Sequence, residues 1–348
     1  MEDFVRHIQS EDGDRELHWL FEFVIKPQLK ELLDALNACS NLLIYNSSEK
    51  SSTERDIDTS VKLPFSSSKS EVLKGVLMRN GSYITGLSIA IKESQFNRVL
   101  HKLTLKSPLK LGQLEKAARS IDNAIGLIER SFSTLTEKCS SEHDELIKIF
   151  DTLLREVRLA KTNVQLPTDP SLVFPNNVAD PDSFEPPLPD KISLDLYVNQ
   201  SEVCLDLKYL HTVEETPWCL VDDQGKSYVD YVRDEMKRRN GTSGANSGSL
   251  PSLNLEEIEK RFSKFIPPQN TNIVSKTLSH ISLKPKQTPL DFITKCVTYN
   301  GKVVVVKKKI DVSSPDPVLV SVSTKLTTIE SLISNIVENA QKVIVSVS

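Results

Sequence analysis

In "PPLPDKISLDLYVNQSEVCLDL", residues 186–207, a cluster of prolines is followed by strictly alternating side chains. Apolar residues occupy every second position from Ile192 to Val198, and the alternation resumes from Val203 to Leu207. Alternation at a period of two places one face of a strand in a core and the other face in water. The stretch therefore predicts a half-buried antiparallel strand whose side chains pack rather than react.

Four other segments show the three-and-four spacing of apolar residues that is typical of helices in bundles and coiled coils. They run from Ile25 to Leu43, from Leu111 to Leu135, from Leu146 to Val164 and from Leu326 to Val343. Such seams bind a partner chain, or they bury one another within a single chain. We favour the second interpretation because four matching seams occur in one chain. Pro27, which cannot donate a backbone hydrogen bond, predicts a kink in the first of these helices.

Several strands are predicted between the first and last helices. The pairs Asn80-Gly81 and Asn300-Gly301 indicate two hairpins, because both residue types tolerate the positive φ of a type I′ turn. Residues 318–323 alternate as well and predict a strand immediately before the last helix. The sequence therefore predicts an α+β fold: an antiparallel helical bundle formed by both chain ends, with an interleaved antiparallel β domain.

The predicted domains are discontinuous in sequence. The helical bundle domain comprises residues 15–45, 108–165 and 324–345, and the β domain comprises residues 70–106, 190–211 and 290–323. Tracts rich in Ser, in Pro, or in Gly, Ser and Asn predict linkers or mobile loops at residues 46–69, 166–189 and 238–252.

Composition excludes several classes of protein. The 348 residues carry a net charge of -4, and lysines and arginines are scattered among acidic residues, so nucleic acid is not expected as a partner. The N-terminus lacks the features of a signal peptide, and no run approaches the roughly 20 apolar residues that a membrane span needs. The 5 cysteines are odd in number and far apart, which disfavours a disulfide framework and predicts a cytosolic protein.

No motif in the sequence predicts catalysis, a cofactor or a metal site. The 6 histidines form no ligand-spaced pair with each other or with a cysteine. H-E-x-x-H, C-x-x-C, G-x-S-x-G and Walker-type glycine loops are missing from the sequence. We therefore expect neither catalytic nor cofactor-binding nor metal-binding residues, and we expect a non-enzymatic protein.

One segment is predicted to bind a partner. Residues 253–266 form an amphipathic helix with one apolar stripe, which consists of Leu255, Ile258, Phe262 and Phe265. On a flexible tether this helix could dock into a groove of a partner protein. The alternative is that it folds back onto its own β domain.

Several blocks occur in an order and spacing that resemble the Rogdi family. They are "ELHWLFEFVIKPQLKELLDAL" at 16–36, "LKGVL" at 73–77, "LEKAARSIDNAIGLI" at 114–128, and the proline-to-strand block of residues 186–207. The fungal member of this family is the small subunit of the RAVE complex, a regulator of the vacuolar and endosomal proton ATPase. Residues 212–289 look expanded relative to shorter animal relatives, which implies a lineage-specific insertion.

The resemblance implies a function. Members of this family act without known catalysis as adaptors beside a large propeller-bearing RAVE subunit and a Skp-type adaptor. The complex promotes reassembly of the peripheral V1 sector of the proton ATPase onto its V0 sector. We therefore expect a cytoplasmic scaffold without a membrane span, recruited to vacuolar and endosomal membranes through partners. The competing expectation is a vesicle-trafficking or tethering scaffold that acts through helical protein contacts.

Overall fold

The computed structural model describes residues 15–16, 18–44, 60–67, 72–136, 142–167, 170–242 and 288–347. Within these ranges the chain combines long helices with two antiparallel sheets, so the predicted α+β class is confirmed. The helices are α1 (Lys26–Leu43), α2 (Ser94–Asn97), α3 (Gly112–Thr136), α4 (Glu142–Gln165), α5 (Tyr228–Thr242), α6 (Pro289–Lys295) and α7 (Pro317–Val347).

The strands form two separate hydrogen-bonded sheets. They are β1 (Val61–Ser66), β2 (Leu73–Asn80), β3 (Tyr83–Ile91), β4 (Lys102–Leu105), β5 (Leu109–Lys110), β6 (Phe184–Glu185), β7 (Ile192–Asn199), β8 (Glu202–Thr212), β9 (Cys296–Tyr299) and β10 (Lys302–Pro315). The first sheet has the order β1-β2-β3-β4-β6, with β5 paired to β3, and the second has the order β7-β8-β10-β9.

The chain divides into two compact units. The first unit consists of Met1–Leu188, Leu194–Asp206 and Asp311–Ser348, and the second consists of Pro189–Ser193 and Leu207–Ile310. Three of the four boundaries fall inside strands β7, β8 and β10, and the fourth lies between β6 and β7. The division into a helical and a β domain that the sequence suggests stays a prediction.

Four long helices of the first unit pack against one another. Helix α3 contacts α1 and α4, and helix α7 contacts the same two helices. The apolar spacing of α4 matches its burial, since every seam residue from Leu146 to Val164 is at most 2% exposed. The seam of α7 is likewise buried from Leu326 to Ala340. The antiparallel geometry of the predicted bundle stays a prediction.

The buried line of α3 differs in part from the predicted one. It follows Leu114, Ala117, Ile121, Ala124, Ile128 and Ser131. Ala118, Ile125 and Phe132, which share the same three-and-four spacing, are only half-buried. Two apolar stripes lie side by side on α3, and periodicity alone cannot choose between them. The small side chains at 117 and 124 permit the close approach of neighbouring helices.

The irregularity predicted at Pro27 is a π-helical segment, Leu20–Ile25, that leads directly into α1. The backbone N–H of Lys26 donates to the carbonyl of Phe21, five residues earlier. Pro27 follows within the first turn of α1, where a missing backbone donor costs little. The wider π turn explains why the apolar residues before Ile25 are offset from the seam that follows.

All three ranges predicted as linkers contain regular structure, and in the third, 238–252, it is the end of α5 at Thr242. Strand β1 lies within 46–69, and its alternate residues Leu63 and Phe65 are each 2% exposed. Strand β6 lies within 166–189 and pairs with β4 through Thr104 and Leu105. The Ser-rich and Pro-rich surroundings of these short strands outweighed their few apolar residues, so composition gave the wrong expectation there.

The strand predicted at residues 318–323 is wrong, because α7 begins at Pro317. The Oδ1 atom of Asp316 accepts hydrogen bonds from the backbone N–H groups of Val318 (2.9 Å) and Leu319 (3.2 Å). This is an N-cap, and a proline in the first turn has a φ that suits the helix. The buried residues 319, 322 and 326 then follow helical spacing.

Asp316 has two further contacts. Its Oδ2 atom lies 2.5 Å from Nε of Arg79 in β2, and both side chains are 0% exposed. Its backbone N–H donates to the carbonyl of Ser201, in the turn between β7 and β8, at 3.2 Å. We call this meeting of β2, the β7–β8 turn and the start of α7 the junction.

Strand β7 is buried more completely than predicted. Its polar residue Asp195 is 2% exposed, and Asp206 on the neighbouring strand β8 is 5% exposed. Both faces of β7 are therefore covered. The hydroxyl of Tyr197 donates to Oδ1 of Asp206 at 3.4 Å. Polar side chains that find partners can be buried, and alternation in a sequence does not reveal this.

The two predicted hairpins are present. At Asn300-Gly301 both residues have positive φ (46° and 70°), as predicted. In the other hairpin Asn80 pairs with Tyr83, so the turn lies one residue later and only Gly81 has positive φ. A shift of register at Met78/Arg79 accompanies this difference.

We predict that the ion pair at the junction shows strong energetic coupling. The variant Arg79→Leu leaves a buried carboxylate without its charged partner and should lower the free energy of unfolding by about 3–5 kcal/mol. The double variant R79L/D316N keeps an oxygen to cap α7 but removes the charge. Its cost in urea denaturation should be smaller than the sum of the two single costs by about 1–3 kcal/mol. Additive costs would contradict this prediction.

Candidate functional site

The four residues predicted to bind a partner, Leu255, Ile258, Phe262 and Phe265, lie outside the described residues. Their role stays a prediction. The candidate site must therefore be sought among the side chains of the two described units.

The second unit has an aromatic core. The ring of Trp218 stacks on Phe292 with centroids 5.0 Å apart and meets Tyr228 edge-on at 5.3 Å. All three rings are buried, together with valines of α5 and β10. This arrangement packs α5 and α6 onto the sheet and leaves no aromatic face of these rings for a ligand.

The closest approach to a reactive cluster is formed by Ser227, Asp230 and Thr298. Oδ2 of Asp230 accepts hydrogen bonds from the Ser227 hydroxyl, at 2.7 Å, and from the Thr298 hydroxyl. Burial raises the pKa of Asp230, but hydrogen bonds from Thr298 and Ser227 outweigh it and hold the pKa below its ordinary value. A carboxylate with a lowered pKa is a weaker base.

The same contacts explain this cluster as a helix cap. The Ser227 hydroxyl accepts from the backbone N–H of Asp230, and the Asp230 carboxylate accepts from the backbone N–H of Ser227. These reciprocal bonds satisfy free N–H groups at the start of α5, in the manner of a capping box. The cluster therefore orients α5, and its hydroxyl and carboxylate are committed to that role.

Three of the described cysteines, Cys39, Cys219 and Cys296, are poor nucleophiles. Burial raises the pKa of Cys39 and that of Cys296 to about 11 each, and it also raises the pKa of the half-buried Cys219. The thiolate is the reactive form of cysteine, and at neutral pH these residues hold very little of it. Cys204 is buried on β8, and Cys139 lies outside the described residues.

Neither a metal-binding cluster nor a membrane-spanning helix occurs in the described ranges. In these ranges no three His, Cys, Asp or Glu side chains converge in a way that could hold a metal ion. No helix there combines the length and the apolar character needed to cross a membrane.

A depression with apolar and polar walls lies at the junction, where α4 ends and α7 begins. We call it the junction surface; its lining residues are Gln165, Leu166, Gln200, Ser201, Val320, Ser323 and Thr324. Leu166 and Val320 are each 47% exposed, which is unusual for two neighbouring large aliphatic side chains beside polar ones. Amide and hydroxyl groups surround these two side chains.

The junction surface is held rigidly. The turn residues Gln200 and Ser201 adopt positive φ (49° and 62°) although neither is glycine. The N–H of Ser201 donates to the carbonyl of Val164 at 3.2 Å, so the turn completes the C-terminal end of α4. The side chain of Gln165 donates to Oγ of Ser323 at 3.2 Å and ties α4 to α7.

An ion-pair network supports the same two helices further along. Arg158 and Lys161 of α4 both contact the Glu330 carboxylate of α7, at 2.9 Å and 2.8 Å. Hydrogen bonding from Lys161 lowers the pKa of Glu330 despite its partial burial. A carboxylate shared by two cations contributes more to stability than an isolated surface ion pair does.

Sequence reasoning missed the junction surface. Neither residue of the turn at Gln200 and Ser201 is glycine or asparagine, so the usual signal for positive φ was not present. The available signal was the polar run "NQSE" at 199–202, which separates two alternating strands. Asp316-Pro317 was a further signal, because aspartate before proline is typical of a helix start.

These observations define a class of protein. The Ser227–Asp230 cluster caps a helix, burial raises the pKa of Cys39, Cys219 and Cys296, and the junction surface offers aliphatic contacts bordered by hydrogen-bonding groups. Such a surface suits recognition of another protein better than it suits a chemical reaction.

Comparison with known proteins identifies the family. The chain matches the family described as "Rogdi leucine zipper containing protein" over residues 16–341 and belongs to it. It is 25% identical over 339 residues to "Regulator of V-ATPase in vacuolar membrane protein 2" of Saccharomyces cerevisiae. The aligned region spans 93% of this chain and 90% of that protein. The resemblance predicted from the sequence is confirmed.

Animal relatives match a shorter part of the chain. "Protein rogdi homolog" of Danio rerio is 26% identical over 204 residues, or 58% of this chain and 69% of that protein. The protein of the same name from Homo sapiens is 23% identical over 205 residues, with 58% and 68% coverage. The names of these relatives describe a regulator and Rogdi proteins, not enzymes.

We predict that buried thiols react slowly in the folded chain. A pKa of about 11 for Cys39 and Cys296 leaves roughly a hundredth of the thiolate that an ordinary thiol holds at neutral pH. Iodoacetamide labelling followed by peptide mass spectrometry should therefore modify the half-buried Cys219 before Cys39 and Cys296. In the denatured chain all three should react at similar rates. Labelling of Cys39 as fast as Cys219 in the folded chain would contradict this order.

Proposed function

We propose that this protein is a non-enzymatic adaptor subunit of a RAVE-like complex, which promotes assembly and reassembly of the vacuolar proton-transporting ATPase. The observation that carries the proposal is the match along 93% of the chain to a yeast protein named as a regulator of V-ATPase. The family match over residues 16–341 likewise extends into both compact units and all four long helices. A shared short motif would support much less.

The proposed partners are a large propeller-bearing RAVE subunit, a Skp-type adaptor and the peripheral V1 sector of the proton ATPase. In this role the chain resides in the cytoplasm and reaches vacuolar and endosomal membranes through these partners. The junction surface supports the role, because Leu166 and Val320 project from a rigid frame and need not reorganise on binding. Preorganised surfaces lose less entropy on association.

The proposal is tested in cells of the source organism that lack this chain. We expect the V1 sector to associate less with vacuolar membranes, measured by immunoblotting of V1 subunits in purified vacuoles, and re-expression of the full chain should restore it. Unchanged V1 association together with disturbed vesicle delivery would favour the alternative, a vesicle-tethering scaffold, and contradict the proposal.

A pair of variants connects this result to the junction surface. In L166E/V320E both substituted positions are 47% exposed, so the chain should fold with an unchanged melting temperature. We expect this variant to restore V1 association poorly. The matched control is V99E, which places a glutamate at a 42% exposed valine elsewhere in the first unit and should restore association fully.

We further propose that the amphipathic segment 253–266 docks into a groove of a partner. Its apolar stripe carries the proposal, since anchors at helical spacing are typical of helix-in-groove recognition. The variant L255E/F262E should weaken co-purification of the propeller-bearing subunit by about tenfold or more without changing the melting temperature. The polar-face variant E256Q/K260Q should leave co-purification intact. A clear drop in melting temperature for L255E/F262E would show that the stripe packs internally.

A further inference from the structure

The first sheet has an exposed outer face. Its inner residues, among them Leu63, Phe65, Leu77, Leu87 and Ile89, are at most 4% exposed. The alternate residues face the other way and lie in rows across the strands. One row is Ser66, Lys74, Ala90 and Lys102, and the next is Pro64, Val76, Ser88, Thr104 and Glu185. Most of these outer residues are exposed, including Val76 at 46%.

This outer face is basic. Lys62, Lys74 and Lys102 belong to it. Lys92, immediately after β3, follows the same alternation as Ala90 and faces the same way; all four lysines are exposed. The two rows contain one acidic residue, Glu185, which lies at the β6 end of the second row. The whole chain has a net charge of -4, so this face is opposite in sign to the average. Its field favours an anionic partner.

The centre of the face is a shallow depression lined by short, weakly polar side chains. A depression follows the rows, and its outer-face lining includes Val76, Ser88 and Ala90, with Lys74 and Lys102 at its sides. Serine and alanine are short, so the lysines rise above a floor that another chain can approach closely. The exposed Val76 adds an apolar contact at the centre.

The β1 edge of this sheet is a poor template for strand addition, whereas the adjoining face is exposed. β1 is outermost among the described strands of its sheet. The N–H of Ser67 donates to the carbonyl of Leu73. The backbone groups of the odd-numbered residues of β1 therefore bond to β2, and those of the even-numbered residues point away from β2, toward the edge of the sheet. Pro64 has an even number and lacks an N–H group, which interrupts any ladder at this edge.

The spacing of the lysines indicates the shape of the partner. Because Ala90 pairs with Lys102, Lys92 and Lys102 are diagonal neighbours, and their backbones lie roughly 7–8 Å apart. A polyproline II segment advances about 3.1 Å per residue with three residues per turn. Carboxylates at every third residue of such a segment therefore project from one side about 9 Å apart, an interval that the long side chains of these two lysines can reach.

We propose that the outer face of the first sheet binds an extended acidic segment of a partner protein. Carboxylates of that segment pair with Lys62, Lys92 and Lys102, while its apolar side chains contact Val76 and Ala90. The inference rests on the proposed adaptor function and adds the surface and the partner's chemistry to it.

The test measures binding of a fluorescein-labelled peptide of four Glu-Pro-Pro repeats to the full chain by fluorescence anisotropy at low salt. We expect saturable binding that weakens as salt is raised, because surface ion pairs are screened. The variant K62E/K92E/K102E should weaken binding by about tenfold or more, and K102E alone by about threefold. The single variant keeps the test decisive if the triple variant does not fold.

Two controls address charge and specificity. The variant K30E/K237E/K325E has the same change in net charge at exposed lysines outside this sheet, and its affinity should stay within about twofold of wild type. A peptide of four Gln-Pro-Pro repeats should not bind. Equal loss in both triple variants, or binding of the glutamine peptide, would overturn the proposal.

Anionic lipid is the other source of negative charge. Wild-type chain that sediments with phosphatidylserine vesicles but does not bind the acidic peptide would overturn the proposal in favour of a membrane surface. These measurements use the purified chain, so they are independent of V1 association in cells. A chain that restores V1 association but does not bind the peptide overturns this inference alone.

Discussion

The carboxylate of Asp316 is the constraint on which the first unit depends. One oxygen caps α7, the other pairs with the buried Arg79, and the backbone N–H of the same residue bonds to the β7–β8 turn. Each contact alone is ordinary, but a single residue connects the first sheet, the second sheet and the last helix. A buried ion pair contributes little net stability because desolvation offsets its attraction. Its value here is geometric, since an arginine and a carboxylate in an apolar core tolerate only one arrangement.

Fixing the start of α7 has consequences along its whole length. The helix continues for 31 residues from Pro317, and its seam meets α4 and α1 only if its first turn is placed correctly. The junction surface is a product of the same placement, because Val320 and Ser323 lie in the first two turns after the cap. The cap that starts α7 therefore also sets the positions of the side chains that line the junction surface.

The sequence predicted the features that depend on repeated apolar spacing. The seam of α4 and the hairpin at Asn300 were predictable because each is local and rests on one strong signal. The failures share a different cause. Arg79 precedes an Asn-Gly pair and resembles a solvent-exposed strand residue, yet it is 0% exposed because a residue 237 positions later supplies its partner. Likewise, alternating valines after Pro317 suit a strand until the Asp316 cap starts a helix.

The candidate sites were hard to predict for the same reason. Leu166 and Val320 are 154 positions apart by number, and nothing in either local sequence marks them as neighbours. The rows of the first sheet likewise require the register of four strands before their lysines can be seen as one face. Interaction surfaces are assembled by tertiary structure, whereas catalytic motifs often retain a local signature.

The protection of the sheet edge bears on how an adaptor chooses its partners. A free edge offers backbone hydrogen bonds that any extended chain can satisfy, so it promotes association with little selectivity. Pro64 removes a donor from that edge, while the adjoining face presents side chains of defined charge and size. Binding through side chains depends on the partner's sequence, and binding through backbone groups largely does not. A side-chain surface of defined charge beside an interrupted edge therefore favours selective over unselective association.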